Sequence, residues 1–114
     1  MLIRVDPASE VPLFAQVAAS IRVDAAAGRV RAGDRLPAAR EVADSLGINL
    51  HTVLRAYQEL RDEGLIDLRR GKGAVVTDVA ASLSLLHADI RALVARSRAL
   101  GISPELLASL IKEN

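Results

Sequence analysis

The stretch LPAAREVADSLGINLHTVLRAYQEL, residues 36–60, holds two helical patterns separated by one glycine. In the first pattern, Val42 and Leu46 stand at the spacing that puts side chains on one face of a helix. Gly47 ends this helix, because glycine adopts the left-handed conformation of a helix C-terminus without steric cost. A short turn between two helices is typical of a helix-turn-helix unit. We therefore predict helices over residues 38–46 and 49–63.

The second helix combines an apolar core face with a polar first turn. At about 100° per residue, its core face carries Val53, Ala56, Tyr57 and Leu60. His51 and Arg55 fall opposite, and Asn49 and Thr52 lie at the same end. A helix N-terminus also offers free N–H groups and a partial positive charge, which suit a phosphate backbone. This end is a candidate for DNA contact, although an N-cap at Asn49 and a solvated cation at Arg55 explain it equally well.

Further helical and β patterns lie on either side of these helices. Pro12, Val17 and Ile21 indicate an earlier helix that Gly28 ends, and we expect the following segment RVRAGDRLP to be a loop. The remaining elements are a hairpin over residues 65–78 that turns at Gly71–Gly73, a helix over residues 80–100, and a helix from Ser103-Pro104. The predicted fold is mainly α with a small β-hairpin: a winged helix-turn-helix domain over residues 1–78 and two C-terminal helices over residues 79–114.

Cations gather at the tip of the predicted hairpin. Arg69, Arg70 and Lys72 stand beside its glycines. Arg40, in the first turn of the short helix, has a side chain long enough to reach the phosphate backbone of a neighbouring nucleic acid. A basic wing beside a polar helix tip favours a nucleic-acid partner. The stretch RRGKG alone is more often an ordinary exposed turn, and residues 34–72 hold seven basic and seven acidic side chains, so the placement of the cations carries this prediction.

The composition excludes several classes of protein. The 114 residues carry a net charge of +1 and contain no cysteine, which removes disulfides, thiolate metal sites and cysteine nucleophiles. We find no catalytic, metal-binding or cofactor motif. An apolar run of about 18 residues, which a membrane span needs, is missing, and the first ten residues lack a signal-peptide core. We expect a cytoplasmic protein that is not an enzyme and takes no cofactor.

The motifs together resemble those of a known family. GDRLP (33–37), an Arg-Glu pair three residues after that proline, HTVLRAYQEL (51–60), EGLI (63–66) and RGKG (70–73) stand at the spacings of GntR-type bacterial transcription regulators. The similarity covers residues 11–78. The short tail looks like that of the YtrA subfamily, which has two C-terminal helices in place of a ligand-binding domain. This resemblance implies a dimeric regulator, often a repressor, that binds a double-stranded DNA operator.

The resemblance also implies which residues contact DNA. By position, one of them is Arg40 on the helix over residues 38–46. The others are Asn49, His51, Thr52 and Arg55 on the helix over residues 49–63, which is the recognition helix, and Arg70, Gly71 and Lys72 on the hairpin, which is the wing. Ala38 stands where a serine N-cap is common, which should weaken that helix by about 1 kcal/mol. Leu50 and Leu54 replace residues that are often polar or basic, and they either touch a thymine methyl group or lower the affinity.

The tail carries an apolar row that needs cover. Its members are Leu83, Leu86, Ile90, Leu93 and Leu100, at nearly heptad spacing, with Leu107 and Leu110 on the last helix. Packing onto the DNA-binding domain would cover the row. We favour self-association around a two-fold axis, because a leucine row on a terminal helix is typical of a dimer seam. We therefore predict a homodimer, and nothing in the tail indicates a small-molecule effector.

A winged-helix module that binds a protein instead of DNA is the alternative function. The nearly neutral charge and the leucines at positions 50 and 54 favour it slightly. An enzyme would need a nucleophile beside a base, a metal cluster or a phosphate loop, and RRGKG lacks the strand–loop–helix setting of such a loop. A salt series separates the first two functions, because binding through phosphates weakens steeply with salt.

Overall fold

Three helices, a β-hairpin and two further helices follow one another along the chain, in the predicted order. The computed structural model describes residues 2–114. Its elements are α1 (Leu13–Ala26), α2 (Ala39–Leu46), α3 (Leu50–Asp62), β1 (Ile66–Arg69), β2 (Gly73–Val76), α4 (Val79–Ala99) and α5 (Pro104–Glu113). The prediction of a mainly helical fold with one small antiparallel hairpin is confirmed.

The chain divides into two compact units, the first ending at Ser84 and the second comprising Leu85–Asn114. The first unit contains α1 to α3, the hairpin and the start of α4. The second unit contains the rest of α4 and α5. The predicted functional division between residues 78 and 79 falls at the start of α4, and it stays a prediction.

Aliphatic side chains at helical spacing build the core of the first unit. Val17 and Ile21 of α1 are fully buried, as are Val53 and Leu60 of α3. Ile66 at the start of β1 joins them in the same cluster. Burying one such side chain stabilises the fold by roughly 1.5–3 kcal/mol. The core therefore fixes α3 against α1, and this leaves the outer face of α3 in solvent.

The turn between α2 and α3 follows from two residues. Gly47 has φ 67°, and the N–H groups of Gly47 and Ile48 both donate to the carbonyl oxygen of Ala43, so the last turn of α2 is closed. Asn49 is the N-cap of α3, and its side-chain oxygen accepts a hydrogen bond of 2.8 Å from the N–H of His51. At the other end of α2, Ala38 makes no side-chain cap, as its sequence position predicts. The start of α2 is thus the weaker of these helix ends.

The hairpin turns one residue earlier than its glycines suggest. Arg69 pairs with Gly73, so Gly73 belongs to β2 and the loop consists of Arg70, Gly71 and Lys72. The N–H of Lys72 donates to the carbonyl oxygen of Arg69 at 3.0 Å. Gly71 has φ 79°, and a β-turn that needs a positive φ at its third residue favours glycine there. We call residues 69–73 the wing tip.

The segment expected to be a plain loop pairs with the free edge of β2. Arg35 lies opposite Val75 in an antiparallel bridge. Gly33 donates to the carbonyl oxygen of Val76 at 2.8 Å, and Leu36 donates to that of Ala74 at 2.9 Å. The prediction of a loop here was wrong in this respect, because pairing with a strand about forty residues away leaves no periodic pattern in so short a segment. The wing is therefore tied to the chain that leads into α2.

Candidate nucleic-acid interface

The first turn of α3 is exposed and polar. Asn49 and His51 are exposed, and Thr52 is half-buried. The cap occupies the side-chain oxygen of Asn49, but its amide N–H groups stay free to donate. The side chains of His51 and Thr52 make no hydrogen bond within residues 2–114, so both remain available to a ligand. The N-cap interpretation of Asn49 is correct, and it leaves room for a contact.

Arg55 lies on the outer face of α3 but is not a free cation. Its guanidinium carbon stands 3.6 Å from the centre of the Phe14 ring, which belongs to the first turn of α1. An exposed cation–π pair of this kind stabilises a fold by about 0.5–1 kcal/mol. The Phe14 ring holds the guanidinium in one place, and the N–H groups of the guanidinium make no hydrogen bond among residues 2–114. The stack therefore orients a donor group beside the tip of α3.

A groove separates α3 from the wing. Residues from three places line it: the chain before and at the start of α2, the flank of α3, and the wing. Leu54 contributes from α3 with 38% of its surface exposed, and Leu68 of β1 with 45%. Leu50 is half-buried against the core. Leu54 rather than Leu50 is thus the leucine that a DNA base could meet.

The wing tip carries cations that the fold leaves unused. Arg70 and Lys72 are exposed, and their side chains make no ion pair or hydrogen bond with any of residues 2–114. Arg69 differs, because its guanidinium stands 3.5 Å from the carboxylate of Asp67 on the same strand. Arg40, at the second residue of α2, is also exposed without a partner among the described residues. Gly71 contributes its backbone at the turn.

One basic residue that the sequence patterns do not single out, Arg35, contacts the wing tip. Nε of Arg35 donates to the carbonyl oxygen of Lys72 at 2.9 Å, and a terminal nitrogen lies 3.5 Å from that of Gly71. No local signal distinguishes Arg35 from any other exposed arginine, because its partners are more than thirty residues away.

The acidic residues of α3 are held at the end away from its tip. Glu63 forms a two-pronged ion pair with Arg22 of α1, with 2.7 Å between Nε and Oε1. Glu59 lies 3.9 Å from the same arginine. The single charge of Arg22 is thus shared between two carboxylates at the C-terminal end of α3. The N-terminal half of α3 contains no acidic residue. The two carboxylates therefore lie at the end of α3 opposite its polar tip.

Tyr57 fixes α3 to the start of α2. Its hydroxyl donates to the carbonyl oxygen of Pro37 at 2.6 Å, and the side chain is only 4% exposed. Burial, and to a smaller extent the nearby charge of Glu41, raise the pKa of Tyr57 to about 12. The phenol therefore stays neutral and keeps donating at any physiological pH.

The apolar row predicted in the tail is largely open to solvent in the single chain. Leu86 is 51% exposed, and Ile90 and Leu93 are each 46% exposed. Leu83 and Leu107 are half-buried, whereas Leu100 and Leu110 are exposed. None of the helices within residues 2–114 is both long and apolar enough to span a bilayer. The described residues also hold no group of three or more side chains suited to a metal ion.

Comparison with known proteins identifies relatives along most of the chain. The family model described as "Bacterial regulatory proteins, gntR family" matches residues 13–76. The HTH-type transcriptional repressor YtrA of Bacillus subtilis is 30% identical, over 98% of this chain and 91% of that protein. A GntR family transcriptional regulator from Listeria monocytogenes superposes with a TM-score of 0.65 at 29% identity, covering 96% of this chain and 99% of that one. YtrA from Sulfolobus acidocaldarius, a GntR-family transcription factor, gives a TM-score of 0.63 at 33% identity over 87% of this chain and 99% of its own.

Proposed function

Because the chain belongs to the GntR family of bacterial regulatory proteins and is a transcription regulator with a DNA-binding helix-turn-helix, we propose that it is a dimeric repressor that binds a palindromic operator. The observation that carries this proposal is the exposed polar tip of α3, together with Arg70 and Lys72 of the wing tip, which have no partner among residues 2–114. The relative from Bacillus subtilis is a transcriptional repressor, which supports repression rather than activation. We propose the cytoplasm, where the chromosome lies, as its location.

In this proposal the tip of α3 enters the major groove. Residues in the first turn of the second motif helix reach base edges in helix-turn-helix proteins. Asn49 and His51 supply hydrogen-bonding groups there, with Thr52 beside them. The ring of Phe14 holds the guanidinium of Arg55 nearby. A planar guanidinium matches the two acceptors of guanine, which is the commonest specific contact of arginine.

The remaining contacts go to the DNA backbone. Arg40 from α2 and the wing residues Arg70 and Lys72 neutralise phosphates, and Gly71 lets the backbone of the wing approach the duplex. Such contacts set the register of the protein on the duplex and make its affinity depend on salt. They carry no sequence information themselves.

We propose that the apolar row of the tail forms the two-fold interface. Leu86, Ile90 and Leu93 fall on one side of α4, and each leaves about half of its surface in solvent. A second copy that covers this row removes apolar area from water at roughly 25 cal/mol per Å². Leu83, Leu100, Leu107 and Leu110 complete the proposed interface. A two-fold dimer binds two half-sites related by the same symmetry.

The proposed dimer is tested by placing a charge on the row. The variant L86E/I90E should sediment as a monomer, because glutamate at a buried seam costs several kcal/mol. Leu85→Glu is the matched control, since Leu85 is 83% exposed and lies on another side of α4. A dimer that survives L86E/I90E, or one that L85E disrupts equally, would show that the row is not the interface.

The DNA-binding proposal is tested by a polarisation titration with the DNA upstream of the protein's own operon, across a salt series and with random duplex as competitor. We expect tight binding that survives the competitor and weakens steeply as salt rises. Weak binding that random DNA removes would mean that this DNA lacks the operator. No retention of any duplex at low salt would instead favour the protein-binding alternative.

A further inference from the structure

The side chain of Arg35 joins the segment before α2 to the wing. Its Nε donates to the carbonyl oxygen of Lys72 at 2.9 Å, and a terminal nitrogen reaches that of Gly71 at 3.5 Å. Both acceptors belong to the loop of the wing tip. The contact therefore fixes the backbone of the wing at the point where its free cations, Arg70 and Lys72, project.

The wing tip needs such support because its own bonding is sparse. One backbone hydrogen bond, from the N–H of Lys72 to the carbonyl oxygen of Arg69, closes the loop. All residues from 67 to 73 are exposed, so no core packing holds them. A two-stranded ribbon is at best marginally stable in water without further contacts. The tip would sample several orientations if only the hairpin held it.

Arg35 is itself held firmly. The flanking N–H groups of Gly33 and Leu36 donate to β2, and Val76 donates back to the carbonyl oxygen of Asp34 at 2.8 Å. These three bonds involve backbone atoms alone, so replacing the side chain of Arg35 leaves them in place. The guanidinium thus reaches from a fixed backbone to a weakly held loop.

We propose that Arg35 is a positioning residue that sets the orientation of the wing tip for contact with the DNA backbone. The inference rests on the proposed function, because the orientation of the tip matters only where it meets phosphate. A guanidinium has five N–H donors, and the two carbonyl contacts leave others for a phosphate oxygen. Its charge also covers two carbonyl oxygens that would otherwise repel phosphate.

The first experiment examines the wing without DNA. Amide NMR spectra of Arg35→Met should show shifted and exchange-broadened signals for Gly71 and Gly73, while residues of the core keep their positions. Arg31→Met is the matched control, because it removes the same charge from the same segment and its side chain makes no hydrogen bond or ion pair within residues 2–114. Unchanged Gly71 and Gly73 signals in Arg35→Met would overturn the proposal.

The second experiment measures coupling on DNA. Arg35→Met and Arg70→Ala should each weaken operator binding about tenfold, while the double variant loses much less than the hundredfold product. Arg35→Lys should recover the salt slope but not the affinity, since an ammonium replaces the charge without the planar fork. Additive losses, or full recovery by Arg35→Lys, would mean that Arg35 acts as a simple charge.

The two experiments separate the two proposals. A wild-type protein that binds no duplex would overturn the proposed function, and the spectra of the free protein would still decide whether Arg35 holds the wing. A wild-type protein that binds its operator, combined with independent losses in the cycle, would overturn the positioning role alone.

Discussion

Replacing Arg55 with alanine removes two interactions whose sizes can be worked out separately. The first is the stack on Phe14, where the guanidinium carbon lies 3.6 Å from the ring centre. Its loss should cost about 0.5–1 kcal/mol of folding free energy. For a domain of this size, that lowers the midpoint of thermal unfolding by roughly 2–8 °C. Since small domains are stable by about 5–15 kcal/mol, the variant stays folded at the temperature of a binding assay.

The second interaction is the proposed contact of Arg55 with a base. A bidentate contact to the correct base contributes about 1–3 kcal/mol, which is roughly a 5- to 150-fold change in the dissociation constant. Affinity for random duplex should fall far less, because that binding depends on phosphates. The predicted signature is thus a small loss of stability and a large loss of specificity.

A polarisation titration with operator and random duplex measures both affinities, and circular dichroism melts report the stability. Arg61→Ala is the matched control, because Arg61 is an exposed arginine in the last turn of the same helix, 3.4 Å from Asp62. It should leave operator affinity nearly unchanged. The proposed docking of α3 would be refuted if Arg55→Ala still discriminated between operator and random duplex as well as the wild type does. It would also be refuted if Arg61→Ala lost as much operator affinity as Arg55→Ala.

Four further outcomes follow from the same geometry. R70A/K72A should weaken binding to operator and random DNA alike and reduce the slope of log affinity against log salt by roughly 0.9 for each phosphate that the wing no longer neutralises; an unchanged slope would remove the wing from the interface. Ala38→Ser should raise the free energy of unfolding by about 1 kcal/mol in a denaturant titration, because it caps the open start of α2. The stability of the wild type should fall as pH rises from 10 towards 12, because the pKa of Tyr57 is raised from 10.0 to about 12 in the folded state while the unfolded phenol has already lost its proton; Tyr57→Phe should remove that part of the pH dependence. Deoxyuridine lacks the thymine methyl group, so replacing operator thymines one at a time tests for a contact with Leu54, which exposes apolar surface in the groove between α3 and the wing. At one position per half-site, the replacement should remove the difference in affinity between Leu54→Ala and the wild type.

Local sequence patterns predict the helices and the hairpin because each depends on neighbours in the chain. Gly47 ends α2 and Asn49 begins α3, and both do so through hydrogen bonds that span five residues or fewer. The positions of the polar tip and the cationic wing follow from those elements. The candidate DNA-contacting residues, except the half-buried Thr52, could therefore be placed on exposed surfaces from the sequence, while their contacts with DNA stay predictions.

Contacts between distant segments could not be predicted in the same way. The stack of Arg55 on Phe14 joins the start of α1 to α3, and Arg35 meets the wing across more than thirty residues. Such partners are set by how whole elements pack, and no spacing rule connects them. As a result, the sequence presents Arg55 as a free cation and leaves Arg35 out of the site altogether, although the structure gives each a defined position.

The pairing of residues 33–36 with β2 also has a consequence for solubility. Strand edges with unpaired N–H and C=O groups template aggregation, most of all where the strand is apolar. The strand Gly73–Val76 is buried from Ala74 onward, yet both of its edges are occupied, one by β1 and the other by the segment around Arg35. The outer edge of the ribbon falls to β1, where Asp67 and Arg69 place opposite charges in alternation with apolar neighbours. Charged side chains on a short edge strand oppose edge-to-edge association. The edge of β1 therefore disfavours sheet-to-sheet joining between the two copies of the proposed dimer.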